Sequence, residues 1–278
     1  MKIITDNPTL LRLVPNVATT VEGESTLYDK ITPWLMQAEE WVSETFTGGE
    51  VLTSIAAAPT STTWQQVAML IVSEAMRRAI PHLDVVLTPN GFGIVSNQNV
   101  APASKERVER LIESQRALRD HYVEYLLGSL SRSSDWHETY QCSWFSETLI
   151  QSPQNCVIAV HGKDFAGDRW EAFLALRDAA RPIEAAIAEK WLSESLMYRL
   201  RRALPTDTAA DLSLAQHVRR CVIDELKGQP RNCRALDRIV NYVRQRPEEY
   251  PEWVSSATAE LFAPPVFRNT KESKGYFF

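Results

Sequence analysis

The side chains able to do chemistry are few and scattered. His161-Gly-Lys-Asp164 sets an imidazole, an amine and a carboxylate on one short segment, the types that acid–base catalysis uses. Asp135-Trp-His137-Glu138 places two carboxylates beside a histidine, a combination that invites a metal. Each pattern also describes an ordinary solvated loop or the start of a surface helix, and that plainer reading is preferred for both. His82, His121 and His217 fall on helices or their ends with no second ligand one turn away. Gly91-Phe-Gly93 lacks the third glycine of a dinucleotide fingerprint. There is no H-E-x-x-H, no G-x-S-x-G, no Walker loop and no zinc-type Cys/His spacing. Cys142, Cys156, Cys221 and Cys233 form no C-x-x-C pair, a pattern expected of reduced thiols in a cytoplasmic protein. These residues predict no catalytic group, no cofactor and no metal.

Charge is more informative. The net charge is −5, which argues against a protein that coats nucleic acid through an overall basic surface. Residues 199–246 nevertheless hold ten arginines and Lys227 against five acidic residues, a local +6. Arg201, Arg202, Arg219 and Arg220 are the candidate basic face, with Arg199, Arg231, Arg234 and Arg238 extending it. Guanidinium forks bind phosphates and carboxylates in two-point fashion. Three uses stay open: nucleic acid, an acidic partner protein, or pairing with the acidic first half.

The elements that must position these groups read as helices. The chain has 278 residues, 44% hydrophobic and 23% charged, with only ten glycines and eight tryptophans. Apolar residues of helical period predict helices at about 25–46, 63–80, 104–128, 168–200, 212–227, 231–245 and 251–262, with a short one near 135–149. Thr32-Pro33 suggests an internal start, Pro81 a stop and Pro182 a kink. Two β-branched runs around Thr88-Pro89-Asn90-Gly91 predict one β-hairpin at about 84–95. No stretch approaches the length of a membrane span, and the start lacks the apolar core of a signal peptide.

A shift of 145 residues aligns the halves over about forty positions. Pro8 then falls on Pro153, Tyr28 on Phe173, Glu39 on Glu184 and Val42 on Ile187. The expected fold is mainly α: a helical bundle built from two degenerate repeats, with the hairpin in the first half. Its parts are repeat 1 at 1–130, a linker with a short helix at 131–147, repeat 2 at 148–263 and an extended C-terminal arm at 264–278. The hairpin is too short to be stable alone, and the arm ends in three aromatics. Asn90, Phe92, Tyr276, Phe277 and Phe278 are therefore the candidate partner contacts.

The string from Val85 to Ser104, VVLTPNGFGIVSNQNVAPAS, resembles the signature of an uncharacterised family encoded in Bacteroides-type prophages. Glu22-Gly-Glu-Ser25, Ala38-Glu-Glu-Trp41 and the aromatic C-terminus are similar too. The resemblance implies a head–tail connector-like, oligomer-forming structural protein without catalytic residues. Its expected partners are copies of itself and other phage structural proteins, with no membrane, in the host cytoplasm or the virion. The alternative from the residues is a nucleic-acid-associated protein using 199–246.

Overall fold

The protein is described here from a computed structural model, which covers residues 1–14, 25–83, 85–88, 91–94, 104–203 and 207–263. The first half holds α1 (Asn7–Leu13), α2 (Leu27–Val42), a π-helical turn (Ser43–Thr47), α3 (Gly49–Ala56), α4 (Thr62–Leu83), α5 (Lys105–Leu130), α6 (Ser134–His137) and α7 (Tyr140–Phe145). The second half holds α8 (Pro153–His161), α9 (Arg169–Ile187), a second π-helical turn (Ala188–Leu192), α10 (Glu194–Arg201), α11 (Ala209–Leu226), α12 (Cys233–Arg244), α13 (Pro251–Val254) and α14 (Ala257–Glu260).

The packed body is all-α, which corrects the expected bundle with a β-hairpin as a component. Backbone at Val85–Thr88 and Gly91–Ile94 runs antiparallel with Val85 opposite Ile94, but the pair joins no sheet among the described residues. Gly91 and Gly93 leave the second run two side chains with which to pack, and a lone two-stranded ladder is marginal in water. The helices alone make the core.

Periodicity placed the long helices, but proline misled at their ends. Thr26, not Thr32, caps α2 through a capping box with Asp29, and the helix runs on through Pro33. α4 continues past Pro81 to Leu83, and α9 is unbroken at Pro182. Ala180 and Ile187 are buried on either side of Pro182, so packing holds α9 together where one hydrogen bond is lost, whereas Pro81 falls in the exposed last turn of α4 after the buried Ala79 and Ile80. Residues 131–147 hold two short helices, α6 and α7.

The element string of the first half recurs in the second. The two π-helical turns lie 145 residues apart, at Ser43–Thr47 and Ala188–Leu192. Each ends on a residue of positive φ, Gly48 (φ 74°, ψ 162°) and Ser193 (φ 66°, ψ 154°), and each is followed by an eight-residue helix. Glu39, buried on α2, accepts the N–H groups of Lys2 at 2.7 Å and Ile3 at 3.0 Å. Glu184, buried on α9, accepts the N–H of Leu149 at 2.8 Å. Ile3 thus matches Leu149 and the cap Asp6 matches Ser152, one residue out of the register that paired Pro8 with Pro153. Farther along, Trp136 Nε1 donates to Phe46 O at 2.6 Å, and Trp253 Nε1 donates to Trp191 O at 2.8 Å. Thr139 and Ser256 cap the next helices identically, each also donating to the carbonyl of its tryptophan. The offset has fallen to 117 because the first half carries both a longer α4–α5 connection and a longer helix, α5 having 26 residues against 12 in α12.

Ser193 is the one described non-glycine residue at positive φ. That backbone region is essentially glycine's and costs a serine roughly 1–3 kcal/mol. Its side chain recovers part by accepting the Leu196 N–H at 3.3 Å, a cap whose loss to glycine costs only a few tenths of a kcal/mol. Ser193→Gly is expected to stabilise the fold by up to about 1 kcal/mol, whereas Ser193→Ala, which keeps the strain and loses the cap, destabilises by about 1 kcal/mol. Urea unfolding of both variants checks this; a glycine variant weaker than the parent contradicts it.

Candidate contact surfaces

Folding disperses the arginine-rich stretch. Arg201 donates to Glu184 at 2.8 Å and to Glu194 at 3.1 Å. Arg202 donates to Tyr198 Oη at 2.9 Å, and Arg219 to the Leu149 carbonyl at 2.7 Å. Arg199 binds Asp211 and Glu252 and lies over the Tyr250 ring, while Arg231 binds Glu225. These partners come from the second half itself, not from the acidic first half. Arg220 is different: it is exposed and makes no hydrogen bond or ion pair among the described residues.

Arg220 lines a cleft of about 620 Å³ between α11 and α12, with His217, Cys221, Arg238, Ile239 and Tyr242. The matching place in the first half, between α4 and α5, is a cleft of about 700 Å³. There Gln66, Met69, His121, Tyr122 and Tyr125 stand where His217, Arg220, Arg238, Ile239 and Tyr242 stand in the second. The second-half cleft carries Arg220 and Arg238 with Asp224 and Tyr242, whereas the first-half cleft carries Trp64, Tyr122 and Tyr125 with Arg12. Sequence reasoning missed both, because a groove between two helices depends on which faces meet.

The chemical candidates stay apart. His161 is exposed and stacks on Phe165 at 5.0 Å, with Lys163 and Asp164 also in solvent. Asp135 and Glu138 share a cleft with Glu50, but His137 Nε2 turns to the Ser131 carbonyl at 2.9 Å. Among the described residues no group of three His, Cys, Asp or Glu is placed to hold a metal, and no helix is long and apolar enough to cross a membrane. Asn90, Tyr276, Phe277 and Phe278 lie outside the described residues, and Phe92 is described only as backbone in Gly91–Ile94.

What the structure brings together instead is the joint between the halves. Trp170 of α9 meets Phe46 at 5.1 Å and Trp41 at 5.9 Å, and Phe173 stacks on Phe145 at 6.3 Å. Arg177 is buried over the Trp144 ring and donates to the carbonyls of Trp144, Phe145 (3.1 Å) and Ile150 (2.9 Å). Burial brings its guanidinium down to about 10. On the other side Arg119, buried on α5, reaches its neighbour Asp120 and, at 2.8 Å, Asp168, the cap of α9.

Burial pushes the Asp168 carboxyl up, but the Arg119 guanidinium and two helix N–H groups outweigh it and hold it below the usual carboxylate range. A depressed acid stabilises the fold above its unfolded pKa, near 4, and loses that stabilisation as pH falls through its lower folded value. Asp168→Asn is expected to cost roughly 1–3 kcal/mol at pH 7, typical of charge-assisted bonds, and the cost shrinks as pH falls from the unfolded value towards the lower folded one. Denaturant titrations at pH 7, 4 and 2.5 measure it; a cost independent of pH contradicts the ionic account.

The fold and its surfaces define an all-helical protein whose element string occurs twice and whose buried charges are held by ion pairs or by backbone groups. Residues 17–146 match the model of a family described as a family of unknown function (DUF6712), a match that stops just past the end of α7. No curated protein and no solved structure matches the chain.

Proposed function

We propose that this chain is a non-enzymatic assembly subunit that acts by binding copies of itself and other structural proteins. The observation carrying the reading is a mismatch in exposure between corresponding residues of the two halves. Trp144 is half-buried under Arg177, whereas its counterpart Leu261 is 68% exposed. A large apolar side chain left in solvent where its counterpart is covered points to a surface that a partner covers. A prophage-encoded, head–tail connector-like role, in the host cytoplasm or the virion, is the finer form of this proposal, supported by the likeness of the 85–104 string. Sedimentation velocity over a range of concentrations tests the reading. Species heavier than the 31.5 kDa chain are expected; a monomer at every concentration, with no binding to proteins encoded beside it, contradicts it.

A second reading rests on Arg220, unpaired among the described residues, and on Arg238 in the same cleft, which suit an anionic strand such as nucleic acid. Salt-dependent DNA binding lost in an Arg220→Glu/Arg238→Glu variant supports it, and absence of binding at low salt removes it.

A further inference from the structure

We infer that copies of this chain join head to tail, the α13–α14 end of one packing on the α1–α2 face of the next as the two halves already pack within one chain. The inference rests on the assembly reading above and names its partner and surfaces.

The joint between the halves has two sides. The first half contributes its α6–α7 end, where Phe145 is buried and Trp144 is covered. The second half contributes α8 and the start of α9: Phe173 and Val157 are both fully buried, and α8 packs on α5 as well as on α9 and α11. Because the element string recurs, each side has a counterpart on the outer ends of the chain. At the far end Phe262 matches Phe145 but is only half-buried, and Leu261 stands in solvent. At the near end Tyr28 matches Phe173 but is half-buried, and Leu11 matches Val157 but is 39% exposed. All four departures go the same way. Residues covered inside the chain are uncovered where the neighbouring half is lacking.

The covered joint therefore shows what fits the open ends: another copy's opposite end. The two surfaces differ from each other, so the contact is heterologous and continues from copy to copy, closing into a ring or extending as a filament according to the rotation per step. The open faces do not reproduce every contact of the internal joint. The counterpart of Arg177 is Thr32, whose hydroxyl donates to its own helix at Tyr28 O, so the contact between copies relies on apolar packing without the buried guanidinium fork and is weaker than the joint inside the chain.

The test uses the full chain with Leu261→Asp and Leu11→Asp, one change on each face and both at exposed positions. Each variant alone should raise the concentration needed for assembly at least tenfold while leaving the melting temperature within a few degrees. Mixed in equal amounts, the two should form a 1:1 dimer and stop there, since each retains the face the other has lost. Assembly of either variant like the parent overturns the inference while leaving the assembly reading standing. Two variants that fail alone and also fail when mixed point to a contact of like with like, and overturn it. A parent that stays monomeric, with Leu261→Asp lowering its melting temperature, shows that the chain's own residues cover the surface, and overturns both the inference and self-association.

Discussion

Arg177→Met is expected to destabilise the protein by about 3–5 kcal/mol, among the largest single-residue effects in the fold. Methionine fills much of the space but donates nothing. The Phe145 carbonyl then loses its donor at a buried joint, while the Trp144 and Ile150 carbonyls lose their charged donor and keep the Glu147 N–H and the Thr148 hydroxyl, each at 3.2 Å; an unsatisfied buried group costs roughly 1–3 kcal/mol, and a lost bond to a charged group about as much. The first two are the terminal carbonyls of α7, so Arg177 acts as the cap of a six-residue helix that has no glycine after it. Arg177→Lys should recover little, because one ammonium cannot reproduce a planar fork spanning three acceptors while stacked on an indole. Urea unfolding followed by tryptophan fluorescence measures the loss, with Trp144 reporting on the site. A cost below about 1 kcal/mol for methionine would mean the carbonyls find other partners, and the joint is then held by the aromatics alone.

Glu184→Leu should cost a similar 3–5 kcal/mol, as expected when one member of a buried pair is removed. The carboxylate is fully buried, with one oxygen on the Leu149 N–H and the other on Arg201 Nε. Leucine strands both. Burial nevertheless pushes Glu184 above the usual carboxylate range in spite of Arg201. Its ionised form therefore opposes folding once pH rises past the unfolded value near 4.5, and this contribution is smallest in acid. Glu184→Gln keeps one acceptor oxygen, enough for the Leu149 N–H, sheds the buried charge and leaves its amide N–H2 facing Arg201 Nε, so its cost at pH 7 should fall below that of leucine without vanishing. Equal costs for the two variants would contradict a hydrogen-bonding role. Glu39→Leu in the first half is the natural comparison, since it removes the same acceptor from Lys2 and Ile3.

The long helices were legible because α2, α4, α5, α9, α11 and α12 repeat apolar residues over several turns. α3 and α8 were not, and α10 was read as the tail of one helix over 168–200. Each has only eight or nine residues, too few to establish a period. The shift of 145 was readable around Val42 and Ile187, where the stripes coincide, and Glu39 fell on Glu184. Their shared task was hidden, since spacing assigns a residue to a face and leaves its partner unnamed. The match of Trp136 with Trp253 escaped altogether, because the longer α4–α5 connection and the longer α5 break the register before α6. The arginine count likewise could not separate Arg201, taken by Glu184, from Arg220, left at a cleft. Those carboxylates lie far along the chain, and only the packing of α9 and α10 brings them in.

The central claim is that one packing solution, used once inside the chain, is used again between chains. A cryo-electron microscopy or crystal structure of the assembled protein tests it most directly. The account predicts Leu261 and Phe262 of one copy buried against Leu11 and Tyr28 of the next, in an arrangement that superposes on the contact between α6–α7 and α8–α9. An assembly in which Leu261 remains in solvent, or in which the same face meets itself across a twofold axis, would contradict it.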